Sequence, residues 1–161
     1  MNGMIKVGMA DLKVAKHPGS LTTLGLGSCI GICLYDPSTK VIGMAHIMLP
    51  SSKTIKNNQN VAKFADTAII KLIDDMKKQG ANKSRLVGKI AGGSQMFKFS
   101  SGNDMMKIGL RNAEAVREIL KENRIPIKAD DTGGNFGRTI EFYSDTGRLL
   151  IKTIGHGVKE V

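Results

Sequence analysis

IGICLYDPSTKVIGMAHIML (residues 30–49) decides the fold of this chain. Two apolar runs, 30–35 and 41–49, flank Asp36-Pro37-Ser38-Thr39-Lys40, and Asp-Pro favours a turn. Each run has the length of a buried strand, so the stretch predicts a β-hairpin.

The pattern continues outward on both sides. Toward the N-terminus, Ile5, Val7 and Met9 alternate and then shift phase at Leu12 and Val14, as two short strands or one bulged strand would. HPGS at 17–20 reads as a turn. Beyond the hairpin, Val61, Phe64, Ala65, Ala68, Ile69, Leu72, Ile73 and Met76 fall on one helical face, with Asn60 placed to cap the start and Gly80 to close the end. Leu110, Ala113, Val116, Ile119 and Leu120 predict a second helix, which Pro126 prevents from continuing. Strands are expected at 85–91, 127–130, 138–143 and 149–154. Two helices among about eight strands predict an α+β sandwich of largely antiparallel or mixed sheet, with the helices packed outside. We expect a single domain over residues 1–161, without repeats or linkers.

Composition narrows the function classes. The 161 residues are 41% hydrophobic and 24% charged, which places the chain among globular proteins rather than disordered or fibrous ones. Its formal net charge of +10 allows nucleic acid, an anionic membrane or an acidic protein as partner. The lysines form no dense block and the two tyrosines and five phenylalanines no stacking series, which weakens the nucleic-acid reading. No apolar run has the length of a membrane span, and the start lacks a signal-peptide core, so a cytoplasmic protein without membrane insertion is expected.

Cys29 and Cys33 are the only cysteines, and His17, His46 and His156 the only histidines. In a reducing compartment a lasting disulfide is not expected. A thiol nucleophile needs a neighbouring base, since a free thiol is only about 3% thiolate at pH 7. The hairpin brings His46 toward the strand that follows Cys29. Cys29 closes the glycine turn Gly25-Leu26-Gly27-Ser28, whose exposed amides could bind an oxyanion; the competing reading is a small buried hydrophobe. Cys33, inside the apolar run, reads as core. His46 among apolar residues is either a hydrogen-bonded core histidine or a base. His17 beside Pro18 reads as turn surface and His156 as a loop residue. No paired CxxC zinc signature is present. The glycine clusters AGGSQMF (91–97) and DTGGNFGR (131–138) raise a phosphate alternative, but neither fits a nucleotide-loop pattern, and the second reads as a hairpin or wide turn with glycine at positive φ.

Together, TLGLGSC (23–29), GMAHIMLP (43–50), AGGSQMF, IGLRNAEAV (108–116) and DTGGNFGRTIEFY (131–143) resemble the CheD family of chemotaxis proteins, in the family's order and over nearly the whole chain. The resemblance implies a chemoreceptor glutamine deamidase, which converts glutamines of methyl-accepting chemoreceptors to glutamates and requires no metal or organic cofactor. It implies Cys29 as nucleophile, His46 as base and Thr23 as third member, with backbone support from Gly27 and Ser28 for the oxyanion. It also implies a regulatory partner, CheC, a phosphatase of phosphorylated CheY. The alternative is that this chain is mainly a non-catalytic binding module for CheC. The basic charge would steer it toward acidic receptor helices.

Overall fold

The computed structural model describes residues 3–53, 55–96 and 107–161. In chain order the elements are β1 (Met4–Lys6), β2 (Asp11–Ala15), β3 (Ser20–Leu26), β4 (Ile30–Asp36), β5 (Val41–Ile47), α1 (Ala65–Lys78), β6 (Val87–Gly92), α2 (Ile108–Glu122), β7 (Ile127–Thr132), β8 (Arg138–Tyr143), β9 (Leu149–Thr153) and β10 (Gly157–Glu160). They form two five-stranded sheets, ordered β1-β3-β8-β9-β10 and β2-β5-β4-β6-β7. Pairing is antiparallel except at β1/β3 and β6/β7. This is the expected α+β sandwich of mixed sheet.

The β4–β5 hairpin is the centre of the second sheet, with Asp36 opposite Val41 and Gly31 opposite His46. Asp36 is fully buried at the turn and holds it through the Ser38 amide (2.9 Å), the Asn82 amide (2.8 Å) and the Arg85 guanidinium (2.9 and 3.0 Å). Both faces of the hairpin are covered, and strand parity decides which residue meets what. Ile30, Ile32, Leu34, Val41, Ala45 and Ile47 join the core beneath the helices. Cys29, Cys33, Tyr35, Ile42 and Met44 join Leu21, Leu26, Ile140 and Phe142 in the core between the sheets. Full burial of a side chain such as Leu72 is worth about 1.5–3 kcal/mol. Both helices lie on one side of the sandwich, α1 against β5 and β2, α2 against β4, β6 and β7. Gly43 permits the close approach of α1: a Cβ there would come within 2.8 Å of Leu72 and Met76.

Both helices end in the same hydrogen-bonded closure. Gly80 donates to the Lys77 carbonyl and Ala81 to that of Met76; Arg124 and Ile125 repeat the pattern on Lys121 and Leu120. Gly80 takes the positive φ as expected, while Arg124 adopts it at 59° without being glycine.

Several expectations are corrected. Of the two readings of residues 5–14, the bulged strand gives way to two short strands, and the phase shift after Met9 is a change of sheet: β1 belongs to one and β2 to the other. α1 starts at Ala65, not beside Asn60, whose side chain instead accepts from the Ala62 amide in the preceding loop. A single 3₁₀ turn occupies Lys83–Arg85, so β6 begins two residues later than the apolar pattern suggests. Gly133 and Gly134 do have positive φ, but the segment crosses from β7 to β8 in the other sheet and is no hairpin. β3 and β10 were not expected. Gly25 and the following Gly27 hid the first and exposure the second. Phe97 of AGGSQMF lies outside the described residues.

Candidate active site

Thr23 reaches His46 and Leu26, three residues on, joins the core on the same side, which a regular strand forbids because alternate residues face opposite ways. The resolution is a bulge. Thr23 pairs with Ile140 and Leu26 with Arg138, so three steps on β3 match two on β8, with Gly25 at a φ of 66° and Leu24 turned outward. The bulge leads straight into the Gly27-Ser28-Cys29 turn.

Thr23 Oγ1 lies 2.7 Å from His46 Nδ1 and 2.7 Å from the Val7 carbonyl oxygen. A hydroxyl has one proton, and a carbonyl can only accept, so that proton goes to Val7. Thr23 must therefore accept from an Nδ1–H, which leaves a lone pair on His46 Nε2. Nε2 is buried and, among the described residues, has no hydrogen-bond partner. Nothing but the fold around Thr23 is needed to set this tautomer.

His46 is 1% exposed and shares its face of β5 with Ile42 and Met44, between the sheets. Its neighbour across the hairpin is Gly31, which carries no side chain, and two residues back from Gly31 on the same face is Cys29. Such diagonal neighbours are about 7–8 Å apart at the backbone, within reach of an imidazole. Burial pushes the Cys29 thiol pKa up, partly offset by a hydrogen bond from its own amide. Burial also lowers the His46 pKa. Both shifts favour the uncharged form of the group concerned.

The turn that carries Cys29 is held by its carbonyls. Ser94 N–H donates to Gly27 (2.8 Å), Asn112 Nδ2 to Ser28 (2.9 Å) and Gly93 N–H to Cys29 (2.9 Å). Gly92 is required there, because its φ is 117° and a Cβ would run into the Cys29 carbonyl. Behind it, the 3%-exposed Arg138 binds Asp131 (3.0 Å), the Gly92 carbonyl (3.1 Å) and Ser94 Oγ (2.8 Å) and lies over the Phe136 ring. Ser94 Oγ in turn donates to the Phe136 carbonyl (2.7 Å). The two glycine clusters therefore brace this turn.

The other sequence candidates fall elsewhere. Cys33 is fully buried in mid-strand, opposite Met44 and Lys89, and burial drives its thiol pKa far up. His17 pairs with Ser144 Oγ (3.0 Å) and His156 stacks on Phe136 at 4.6 Å. Among the described residues no group of three His, Cys, Asp or Glu side chains could hold a metal ion, and no helix is long and apolar enough to cross a membrane. Sequence reading missed Asn112, Ser94 and Arg138 as neighbours of the turn. For Asn112 the signal was present: a polar residue four positions before Val116, on the apolar stripe of α2.

Residues 48–153 match the family model CheD, described as CheD chemotactic sensory transduction. That span begins two residues after His46, so Thr23, Cys29 and His46 lie outside it, while the residues that brace the Cys29 turn lie within it. Over 98% of both chains, the sequence is 61% identical to the probable chemoreceptor glutamine deamidase CheD of Caldanaerobacter subterraneus subsp. tengcongensis. Over the full length of both, it is 54% identical to the chemoreceptor glutamine deamidase CheD of Halalkalibacterium halodurans. Among solved structures, the Bacillus licheniformis hypothetical protein YfiH aligns with 81% of this chain and 59% of its own, at a TM-score of 0.47 and 14% identity, too distant a likeness to assign an activity.

Proposed function

The chain belongs to the CheD family, and from that premise we propose that it is a chemoreceptor glutamine deamidase acting through Cys29, His46 and Thr23. The observation that carries this reading is the Thr23–His46 hydrogen bond, which leaves the Nε2 lone pair free on the face of β5 that meets the core containing Cys29.

In the proposed reaction His46 Nε2 takes the Cys29 proton as sulfur attacks the glutamine side-chain carbonyl. The developing oxyanion is held by the amides of Ser28 and Cys29, with Gly27 shaping the turn. While the ring is an imidazolium, its Nδ1–H bond to Thr23 is charge-assisted and about twice as strong as a neutral one. The carbon–nitrogen bond then breaks, the leaving nitrogen takes the Nε2 proton, and ammonia departs from a thioester. Nε2 next takes a proton from water, hydroxide adds to the thioester carbon, and the carbon–sulfur bond breaks. Sulfur recovers its proton, and the product is glutamate. A threonine hydroxyl carries no charge and stabilises the imidazolium less than an aspartate would, so turnover is modest.

The substrate would be the cytoplasmic helical region of methyl-accepting chemoreceptors, which makes the chain a cytoplasmic enzyme acting as one domain. CheC would be its regulator, and a regulator that covers the site would protect Cys29 from alkylation. The deciding experiment is mass spectrometry of receptor fragments incubated with wild-type and Cys29→Ala protein. A glutamine-to-glutamate mass change is expected with the first alone; full conversion by Cys29→Ala sinks the mechanism.

A further inference from the structure

We propose that Asn112 is a positioning residue that aims the Cys29 amide at the oxyanion, an inference that rests on the thiol chemistry proposed for Cys29. Asn112 is fully buried on the first turns of α2, and its Nδ2 donates to two carbonyls, Ser28 (2.9 Å) and Met48 (3.0 Å). One lies immediately before the cysteine and the other two residues after the histidine. A single side chain thus ties together the two segments that carry the reacting pair.

The peptide plane makes this tie directional. In a trans peptide the carbonyl and the following N–H point opposite ways, so anchoring the Ser28 carbonyl on α2 turns the Cys29 N–H away from the helix. That is the side between the sheets, where the Cys29 side chain packs. The Ser94 amide does the same for its neighbour by holding the Gly27 carbonyl and turning the Ser28 N–H away. Of the two anchors, one is backbone and beyond the reach of substitution. Asn112 is the one that side-chain chemistry supplies.

Stability alone does not explain an asparagine here. The rest of the stripe is Gly109, Ala113, Val116 and Leu120, and Asn112 Oδ1 is buried with no partner among the described residues. Such a group destabilises the fold. The residue is kept for its two N–H donors.

The test separates oxyanion geometry from thiol access by using two reagents on Cys29. Acylation by p-nitrophenyl acetate passes through a tetrahedral oxyanion; alkylation by iodoacetamide is a displacement at carbon and does not. Both are followed by mass spectrometry of the Cys29 peptide in wild-type and Asn112→Leu protein. Acylation should slow about tenfold to a hundredfold while alkylation stays within about threefold, since a misaimed donor loses part of the effect of a deleted one. If Asn112→Leu does not fold, Asn112→Asp keeps the shape and removes the donors, and the same ratio is read. A parallel fall in both reactions, unchanged acylation, or failure of both variants to fold overturns the proposal. The deamidase reading fails separately, if Cys29→Ala still converts receptor glutamine.

Discussion

Thr23→Val tests the site at its least polar member. Valine keeps the shape of threonine and removes one oxygen, which deletes two hydrogen bonds of 2.7 Å each. The Val7 carbonyl and His46 Nδ1 lose that partner in surroundings 0–1% exposed, and each orphaned group costs about 1–3 kcal/mol before relaxation. The ring can escape part of that cost by moving its proton to Nε2, and that removes the base. If the lost acceptor is worth about 1.4 kcal/mol, the competent tautomer falls about tenfold, and looser ring orientation lowers kcat further, to about 10–100-fold below wild type. Thr23→Ser restores the oxygen and should stay within about threefold. Ammonia release from a saturating receptor fragment measures kcat, and ¹⁵N NMR of His46 reports which nitrogen carries the proton. Full kcat in Thr23→Val, or an Nε2–H imidazole in the wild type, refutes the reasoning.

Burial lowers the His46 pKa and raises that of Cys29, so kcat/KM should rise along an acid limb below the ordinary histidine range and stay level to above the ordinary thiol range; a limb at an unshifted histidine value would contradict a buried base. Stability should follow the same groups. Between the lowered and the ordinary histidine pKa the unfolded chain binds more protons, so the His46 contribution is full above the ordinary value and is lost as pH falls through that window, visible in denaturant midpoints across pH. Gly92→Ala should cost more activity than its loss of stability explains, because the new Cβ displaces the Cys29 carbonyl; wild-type kcat on a folded protein would count against it. Asp36→Asn, at the far end of the hairpin, removes a carboxylate that burial pushes up but that Arg85 and three amides hold well below the usual range. It should destabilise by about 1.5–3 kcal/mol with kcat per folded molecule unchanged, read by denaturation and ammonia release.

The fold was legible where period and length agree. The hairpin, both helical stripes and the glycine closing α1 are local signals, and local physics made them. What escaped reading is long-range. Nothing in residues 5–14 says that two short strands part company into different sheets, because alternation reports one-sided burial and not against what. β3 was hidden because Gly25 and the Gly27 that follows the strand read as a turn, although Gly25 is the bulge that lets Thr23 and Leu26 face the same way. At the site, Cys29, His46 and Thr23 were nameable from motif resemblance. The Val7 carbonyl that fixes the proton on Nδ1 could not be, since backbone carbonyls leave no mark in a sequence.

The two cysteines show what parity alone decides and what it does not. Cys29 and Cys33 are four residues apart, so both face the gap between the sheets, the face that His46 also uses. Facing the right way is therefore not the distinction. Cys33 sits in mid-ladder, hydrogen-bonded strands on either side, and is fully buried. Cys29 precedes the first rung of β4, where the ladder ends and the backbone must be held by other means. Three outside donors do that on consecutive carbonyls, those of Gly27, Ser28 and Cys29. In the proposed mechanism a nucleophile at the end of a strand would acquire its oxyanion donors from the same contacts that terminate the sheet: the glycine turn, the segment after β6, Arg138 at the start of β8, and α2 all converge on this turn.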